Sequence, residues 1–358
     1  MKRLHPELKE RLQEGLVLPA HPLALTEDRQ LDEQRQRLLT NYYIQSGAGG
    51  IAVAVHSTQF EIREPQYNLL EPVLRIAAEE IDKAKLGNRF LKIAGICGPT
   101  EQAVKEAELA SSLGYDIGLL SMGGLQNWTE EAILARVRAV AAVMPVFGFY
   151  LQPSVGGRIF SYSFWQAFVE IDNVEAIKCA SFNRYQTLDV MRAVANSSRR
   201  DQIAMYTGND DNILADLLTD YNFTVDGTPV TVTFKGGLLG HWAVWTAKAV
   251  ALMDEIKAYR KNPAVETLNS LLAKGVHVTD SNAAFFDPAN HFHGCIPGIH
   301  EVLRKQGLLK GIWCLNPKEV LSPGQQAEID RVHADYPELN DDDFVASFLQ
   351  QMENEDKL

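Results

Sequence analysis

One lysine stands where a buried strand should run out. Val174–Ser181 reads V-E-A-I-K-C-A-S. Val174, Ala176 and Ile177 suit a strand covered on both faces, and Lys178 follows them. The bland alternative is a strand that stops one residue early and an ammonium in solvent. Lysine is seldom buried without a partner, so its neighbours decide between the two. Tyr150 closes the preceding apolar run, Pro145–Tyr150, and Ser57 and Thr58 follow an earlier one, Gly50–Val55. An amine, a phenol and paired hydroxyls are the parts of Schiff-base catalysis: nucleophile, proton shuttle and relay. The amine must be neutral to attack a carbonyl. At its ordinary pKa of about 10.4, roughly one lysine in a few thousand is neutral at pH 7. Burial among apolar side chains lowers that pKa by up to ~3–5 units.

The elements that would position these residues alternate along the chain. Apolar runs at Gly15–Ala24, Gly50–Val55, Phe90–Ile96, Asp116–Met122, Pro145–Tyr150, Val174–Lys178, Gln202–Tyr206 and Val230–Phe234 are each followed by a helical pattern. The runs are continuous rather than alternating, as in a parallel sheet covered on both faces, and eight βα units imply closure. The expected fold is α/β, a (β/α)8 TIM barrel over 1–252, with a C-terminal helical extension over 253–340 and an acidic tail over 341–358 whose last residues fray.

Active sites of such barrels lie at the C-terminal ends of the strands. That rule selects His21, His56–Thr58, Tyr150, Lys178, Gly208–Asp211 and Lys235–Gly237. Neighbouring strands are about 4.8 Å apart, so Tyr150 and Lys178 are expected to meet. Asp210 and Asp211 read as a helix cap, or as groups for a metal or a substrate hydroxyl. Gly236 and Gly237 could approach a phosphate, but no second glycine-rich turn supports this. Cys179 reads as core packing. His291, His293 and Cys295 in N-H-F-H-G-C match no standard zinc spacing, which favours a structural or contact role.

The tyrosine, the A-I-K run and the hydroxyl pair resemble the dihydrodipicolinate synthase / N-acetylneuraminate lyase family of class I aldolases and dehydratases. The likeness runs from about Gly15 into the helical extension. It implies that Lys178 forms an imine with a 2-oxo acid such as pyruvate, or with a sugar-derived keto acid, and that Tyr150 shuttles protons. Ser57 and Thr58 would hold the substrate carboxylate and relay protons. By their places at strand ends, His56 reads equally as a substrate-facing donor or a satisfied loop histidine, and Gly208 as a substrate-binding position. The likeness further implies no cofactor and a homo-oligomer, dimer or tetramer. The turn H-S-T-Q-F-E replaces that family's G-T-T-G-E. Val155 stands where the synthases place an arginine, Arg158 lies beyond two glycines, and Met122-Gly123-Gly124-Leu125 lacks their aromatic pair. The imine half of the site is matched; the half that selects a second substrate is not.

Composition narrows the alternatives. The chain has 358 residues, 46% hydrophobic and 22% charged, enough for a large core. A net charge of −12 argues against nucleic-acid or anionic-membrane partners. No stretch reads as a bilayer span or a signal peptide. The cysteines Cys97, Cys179, Cys295 and Cys314 form no C-x-x-C pair, so a reduced, cytoplasmic protein is expected. The competing readings are a metal-dependent barrel enzyme and a small-molecule binder without turnover.

Overall fold

A computed structural model describes residues 1–355. In chain order its elements begin with α1 (Pro6–Glu14), β1 (Val17–Pro19), α2 (Glu33–Gln45), β2 (Gly50–Val53), α3 (Leu70–Lys83), β3 (Leu91–Ile96), α4 (Thr100–Ser112) and β4 (Ile117–Leu120). There follow α5 (Glu130–Ala141), β5 (Val146–Leu151), α6 (Tyr162–Val169), β6 (Val174–Ala180), α7 (Arg184–Ala195), β7 (Ala204–Thr207), α8 (Ile213–Leu218), β8 (Asp220–Val225) and β9 (Thr228–Leu239). The chain then turns helical: α9 (Thr246–Lys261), α10 (Val265–Phe286), α11 (Cys295–Lys305), α12 (Gln325–Asp335) and α13 (Asp342–Glu355). The fraying expected of the tail falls on 356–358, outside the described residues.

Strand order in the sheet is β1-β9-β7-β6-β5-β4-β3-β2. The two ends of that order meet where Ala20 bridges Ala52 in parallel and the His21 N–H donates to the Ala52 carbonyl at 2.8 Å. This is a (β/α)8 barrel, as the alternation predicts.

The eighth barrel strand differs from expectation. It is the second half of β9, where Phe234, Gly236 and Gly237 pair with Met205, Tyr206 and Thr207. The first half pairs antiparallel with β8 as a hairpin. Its turn, Asp226-Gly227, has φ of 49° and 77°, the left-handed geometry that a two-residue hairpin turn demands. Asp-Gly between alternating Tyr221, Phe223, Val225 and Val230, Val232 was the sequence signal for it. A second difference lies after β2. The helix that follows this strand begins only at Leu70, because short 3-10 turns at His56–Thr58 and Phe60–Arg63 come first.

Contacts divide the chain into two compact units. The first, Met1–Leu16 with Leu91–Leu238, holds β3 to β7, α4 to α8 and most of β9. Its parallel strands slip register twice: at β7–β9, where Lys235 is an extra residue of β9 between Phe234 and Gly236, and at β5–β6. There Val146 pairs with Val174, but Phe147 pairs with Ala176, so Glu175 is an extra residue in β6. Every later pair is displaced by one: Phe149 faces Lys178 and Tyr150 faces Cys179. The Glu175 carboxylate is buried and meets the Lys9 ammonium of α1 at 2.7 Å.

The second unit, Val17–Phe90 with Leu239–Leu358, is gathered around another carboxylate. Asp341 accepts from the Tyr42 hydroxyl at 2.7 Å, the Ala247 N–H at 3.0 Å and the Gln306 amide at 2.8 Å. The Thr246 N–H donates to the same Tyr42 hydroxyl at 2.8 Å. Two of the free N–H groups that open α9 are thereby satisfied from α2 and the start of α13.

Removing one partner of a buried pair leaves the other charge uncompensated. Lys9→Met is therefore expected to cost about 1–3 kcal/mol in urea melts, given that Lys9 itself is partly solvated. The double variant Lys9→Met/Glu175→Gln should recover part of that loss. Equal costs for the single and double variants would show that the pair does not hold the bulge.

Candidate active site

Lys178 projects from β6 into the barrel interior, a position fixed by three neighbours. Its Nζ lies 4.4 Å from the centre of the Phe149 ring on β5. Tyr206 of β7 is its partner on the other side. Beyond Tyr206, Gly208 makes room for the side chain: a Cβ there would lie 2.5 Å from Lys178 Cε. The amine is surrounded by protein but keeps a path to solvent, since the residue is only half-buried by exposure. Burial pulls its pKa down to about 8, against the opposing pull of the Asp210 carboxylate. The Phe149 ring also favours the ammonium through its π face, so burial outweighs two attractions.

Tyr150 is not brought to this amine. The extra residue Glu175 turns it to the opposite face of β5, toward the helices. Its ring packs 4.9 Å from Trp165 and 6.0 Å from Phe160. Its hydroxyl lies against the Phe160 backbone without a well-formed hydrogen bond. Burial pushes its pKa up to about 12, and the charges acting on it include Asp189 of α7 and Glu130 of α5. With no extra residue, Val146–Val174 pairing would have carried Tyr150 to Lys178, which is the register the sequence implied. Nothing in the run V-E-A-I-K marks Glu175 as a bulge. The residue that does face the amine, Phe149, was hidden for the same reason.

The loop after β7 is tied down tightly. Asp216 of α8 is fully buried and accepts from Thr207 Oγ1 at 2.7 Å, Asn209 Nδ2 at 2.8 Å and Asn212 Nδ2 at 3.2 Å, and is ion-paired with Arg184. Asn209 Oδ1 in turn accepts from the Phe182 N–H at 2.9 Å, joining the loops after β6 and β7. The Gly208 N–H donates to the Cys179 carbonyl at 2.7 Å. Asn212, not Asp210 or Asp211, precedes α8, so the capping reading of the two aspartates does not hold. Burial raises the pKa of Asp211.

The remaining candidates are occupied structurally. Ser57 Oγ donates to the Ala20 carbonyl at 2.9 Å, and Thr58 Oγ1 donates to the His21 carbonyl at 2.7 Å. Both hydroxyl protons are thus spent on the end of β1. His56 is half-buried with its ring against Phe60. His21 is buried with Nδ1 at 2.8 Å from the Pro22 carbonyl and Nε2 at 2.9 Å from Thr40 Oγ1. Burial lowers its pKa to about 4, so the ring is neutral. Gly236 is explained by the close approach of the chain: a Cβ would lie 2.3 Å from the Leu16 carbonyl oxygen. The turn bearing His291 and His293 is held by Asp287, which accepts from Asn290 Nδ2 at 2.6 Å and from the Gly294 N–H at 3.1 Å. Among the described residues no group of three or more His, Cys, Asp or Glu could hold a metal ion.

Because the folded pKa of Lys178 is depressed below its unfolded value of 10.5, the native state carries a penalty at neutral pH. The unfolded chain holds the extra proton between about pH 8 and 10.5, so stability rises with pH across that window. Lys178→Met should therefore stabilise the protein by about 1–3 kcal/mol at pH 7, a gain that fades between about pH 8 and 10.5 and is gone above that, in pH-resolved denaturant melts. Gly208→Ala should do the reverse, costing about 1–3 kcal/mol as the new methyl displaces the lysine.

No family model matches the sequence, and no curated protein matches it. Solved structures do. Dihydrodipicolinate synthase from Oceanobacillus iheyensis aligns with a TM-score of 0.72 at 16% identity, covering 92% of this chain and 99% of that one. N-acetylneuraminate lyase from Fusobacterium nucleatum, solved with pyruvate, aligns at 0.69 and 16%, covering 92% and 99%. CdNal from Clostridium difficile, solved with mannosamine, aligns at 0.70 and 14%, covering 90% and 99%. At such identities the likeness is one of fold. The chain has the barrel architecture of dihydrodipicolinate synthases and N-acetylneuraminate lyases, in a sequence far diverged from theirs.

Proposed function

We propose that this chain is a Schiff-base-forming lyase, an aldolase or hydro-lyase, acting on a 2-oxo acid through Lys178. The observation that carries the reading is the depressed, solvent-reachable amine at the C-terminal end of a barrel strand, with a glycine cleared for it. A pKa near 8 leaves about one amine in ten neutral at pH 7, a gain of roughly 300-fold over an ordinary lysine. Perturbed groups of this kind cluster at functional sites. The relatives by fold include a lyase solved with pyruvate, which makes a 2-oxo acid the first substrate to try.

The chemistry follows from the groups present. The neutral amine adds to the C2 carbonyl, and loss of water from the carbinolamine gives a protonated imine. That cation keeps the Phe149 ring and the Asp210 charge that the ammonium had. The iminium then draws electrons from the bond at C3, which is what cleavage, condensation or dehydration of a 2-oxo acid requires. The hydroxyls of Ser57 and Thr58 take no part in this reading, because the Ala20 and His21 carbonyls just after β1 already hold their protons.

Borohydride reduction in the presence of pyruvate or longer 2-oxo acids should attach the acid to Lys178, located by peptide mass spectrometry. Lys178→Ala should abolish the adduct. Yield should rise with pH and level off above about 8, where the amine is neutral. Failure of the folded wild-type protein to trap any acid across a broad panel would overturn the proposal.

A further inference from the structure

We propose that Asp210, and not Tyr150, takes and returns the C3 proton of the substrate held on Lys178. The inference rests on the imine reading above and adds the acid–base group to it. An imine at C2 activates the C3–H bond, but a base must receive the proton. The bond to hydrogen breaks, its electron pair becomes the C2–C3 double bond of an enamine, and the iminium electrons return to nitrogen. The proton goes to a carboxylate, which becomes a carboxylic acid and gives it back in the reverse step or after cleavage.

Three nearby hydroxyls are unsuited to this. Tyr150 faces the aromatic layer of α6. The Tyr206 hydroxyl donates to the Leu12 carbonyl at 3.0 Å and accepts from the Leu16 N–H at 3.1 Å, so both its functions are used. Ser181 Oγ donates to the Asn183 carbonyl at 3.0 Å and lies 3.0 Å from Thr187 Oγ1.

Asp210 sits on the loop that crosses the lysine. Gly208, two residues earlier, lies directly over the lysine side chain. The Asn212 N–H donates to the Asn209 carbonyl at 2.9 Å, which makes Asp210 and Asp211 the two central residues of a turn. Both corners of that turn are pinned to buried Asp216 through Asn209 and Asn212. Those two ties fix the turn tip beside the end of β7. Asp210 is half-buried and is the charged side chain that acts on the Lys178 ammonium. Positioned general bases of this sort contribute about 10²–10⁴-fold.

The test separates imine formation from proton removal in the full-length protein. Pyruvate is incubated with each variant in D2O, loss of its methyl signal is followed by proton NMR, and borohydride trapping is run in parallel. Asp210→Asn should still trap pyruvate at Lys178, with its pH midpoint moved downward because the carboxylate no longer supports the ammonium. Its methyl exchange should fall about 100-fold or more. Asp210→Glu should restore part of the exchange. Tyr150→Phe should leave trapping and exchange within about threefold of wild type. Wild-type exchange in Asp210→Asn, or exchange lost in Tyr150→Phe with trapping intact, overturns the assignment of the base and spares the imine. Absence of any wild-type adduct overturns the imine reading and this one with it.

Discussion

The position of one surplus residue governs the chemistry available to this barrel. Glu175 enters β6 without a counterpart on β5, and from that point side chains that would have faced inward face outward. Phe149 therefore lies beside the amine, and the phenol of Tyr150 joins a layer of aromatic rings under α6. The bulge is stabilised from the other end of the strand. Its carboxylate is buried and balanced by Lys9, from a helix that precedes the first strand. A helix outside the eight repeating units thus sets what the sixth strand presents.

The amine is tuned by competition rather than by a single contact. Burial disfavours the charge, while an aromatic face and a carboxylate favour it, and the balance rests near neutrality. The same competition suits a reaction whose nucleophile must be uncharged at the start and whose intermediate is cationic. Rigidity around it comes from Asp216, which gathers Thr207, Asn209, Asn212 and Arg184 and through Asn209 reaches the loop after β6. Two adjacent strand ends are fixed to each other by one buried carboxylate.

The architecture was legible because it is written in repetition. Eight continuous apolar runs, each followed by a helical pattern, leave few alternatives to a closed parallel barrel, and Lys178 stands out by being polar at the end of one of them. The hairpin of β8 and β9 had a local signal in Asp226-Gly227, but the reading of Val230–Phe234 as a lone barrel strand passed over it. The register of β5 against β6 was not. A bulge has no residue signature of its own in V-E-A-I-K, and its support, Lys9, lies far away in sequence. The hydroxyls of Ser57 and Thr58 have the residue types that bind carboxylates, yet they donate to the backbone carbonyls of Ala20 and His21, just after β1. Residue type and spacing locate a side chain on an element; which acceptor reaches it first is settled by the packed structure.

The carboxylate of Asp341 carries a consequence for how the chain is made. The opening turn of α9 depends on it, directly at Ala247 and through Tyr42 at Thr246. On the ribosome those amides emerge nearly a hundred residues before the group that satisfies them, at about 5–20 residues per second a wait of seconds. Until Asp341 arrives, α9 has an unfinished end and the nascent second unit lacks the latch between α2 and α13. During that interval the open end of α9 is accessible to chaperones and proteases.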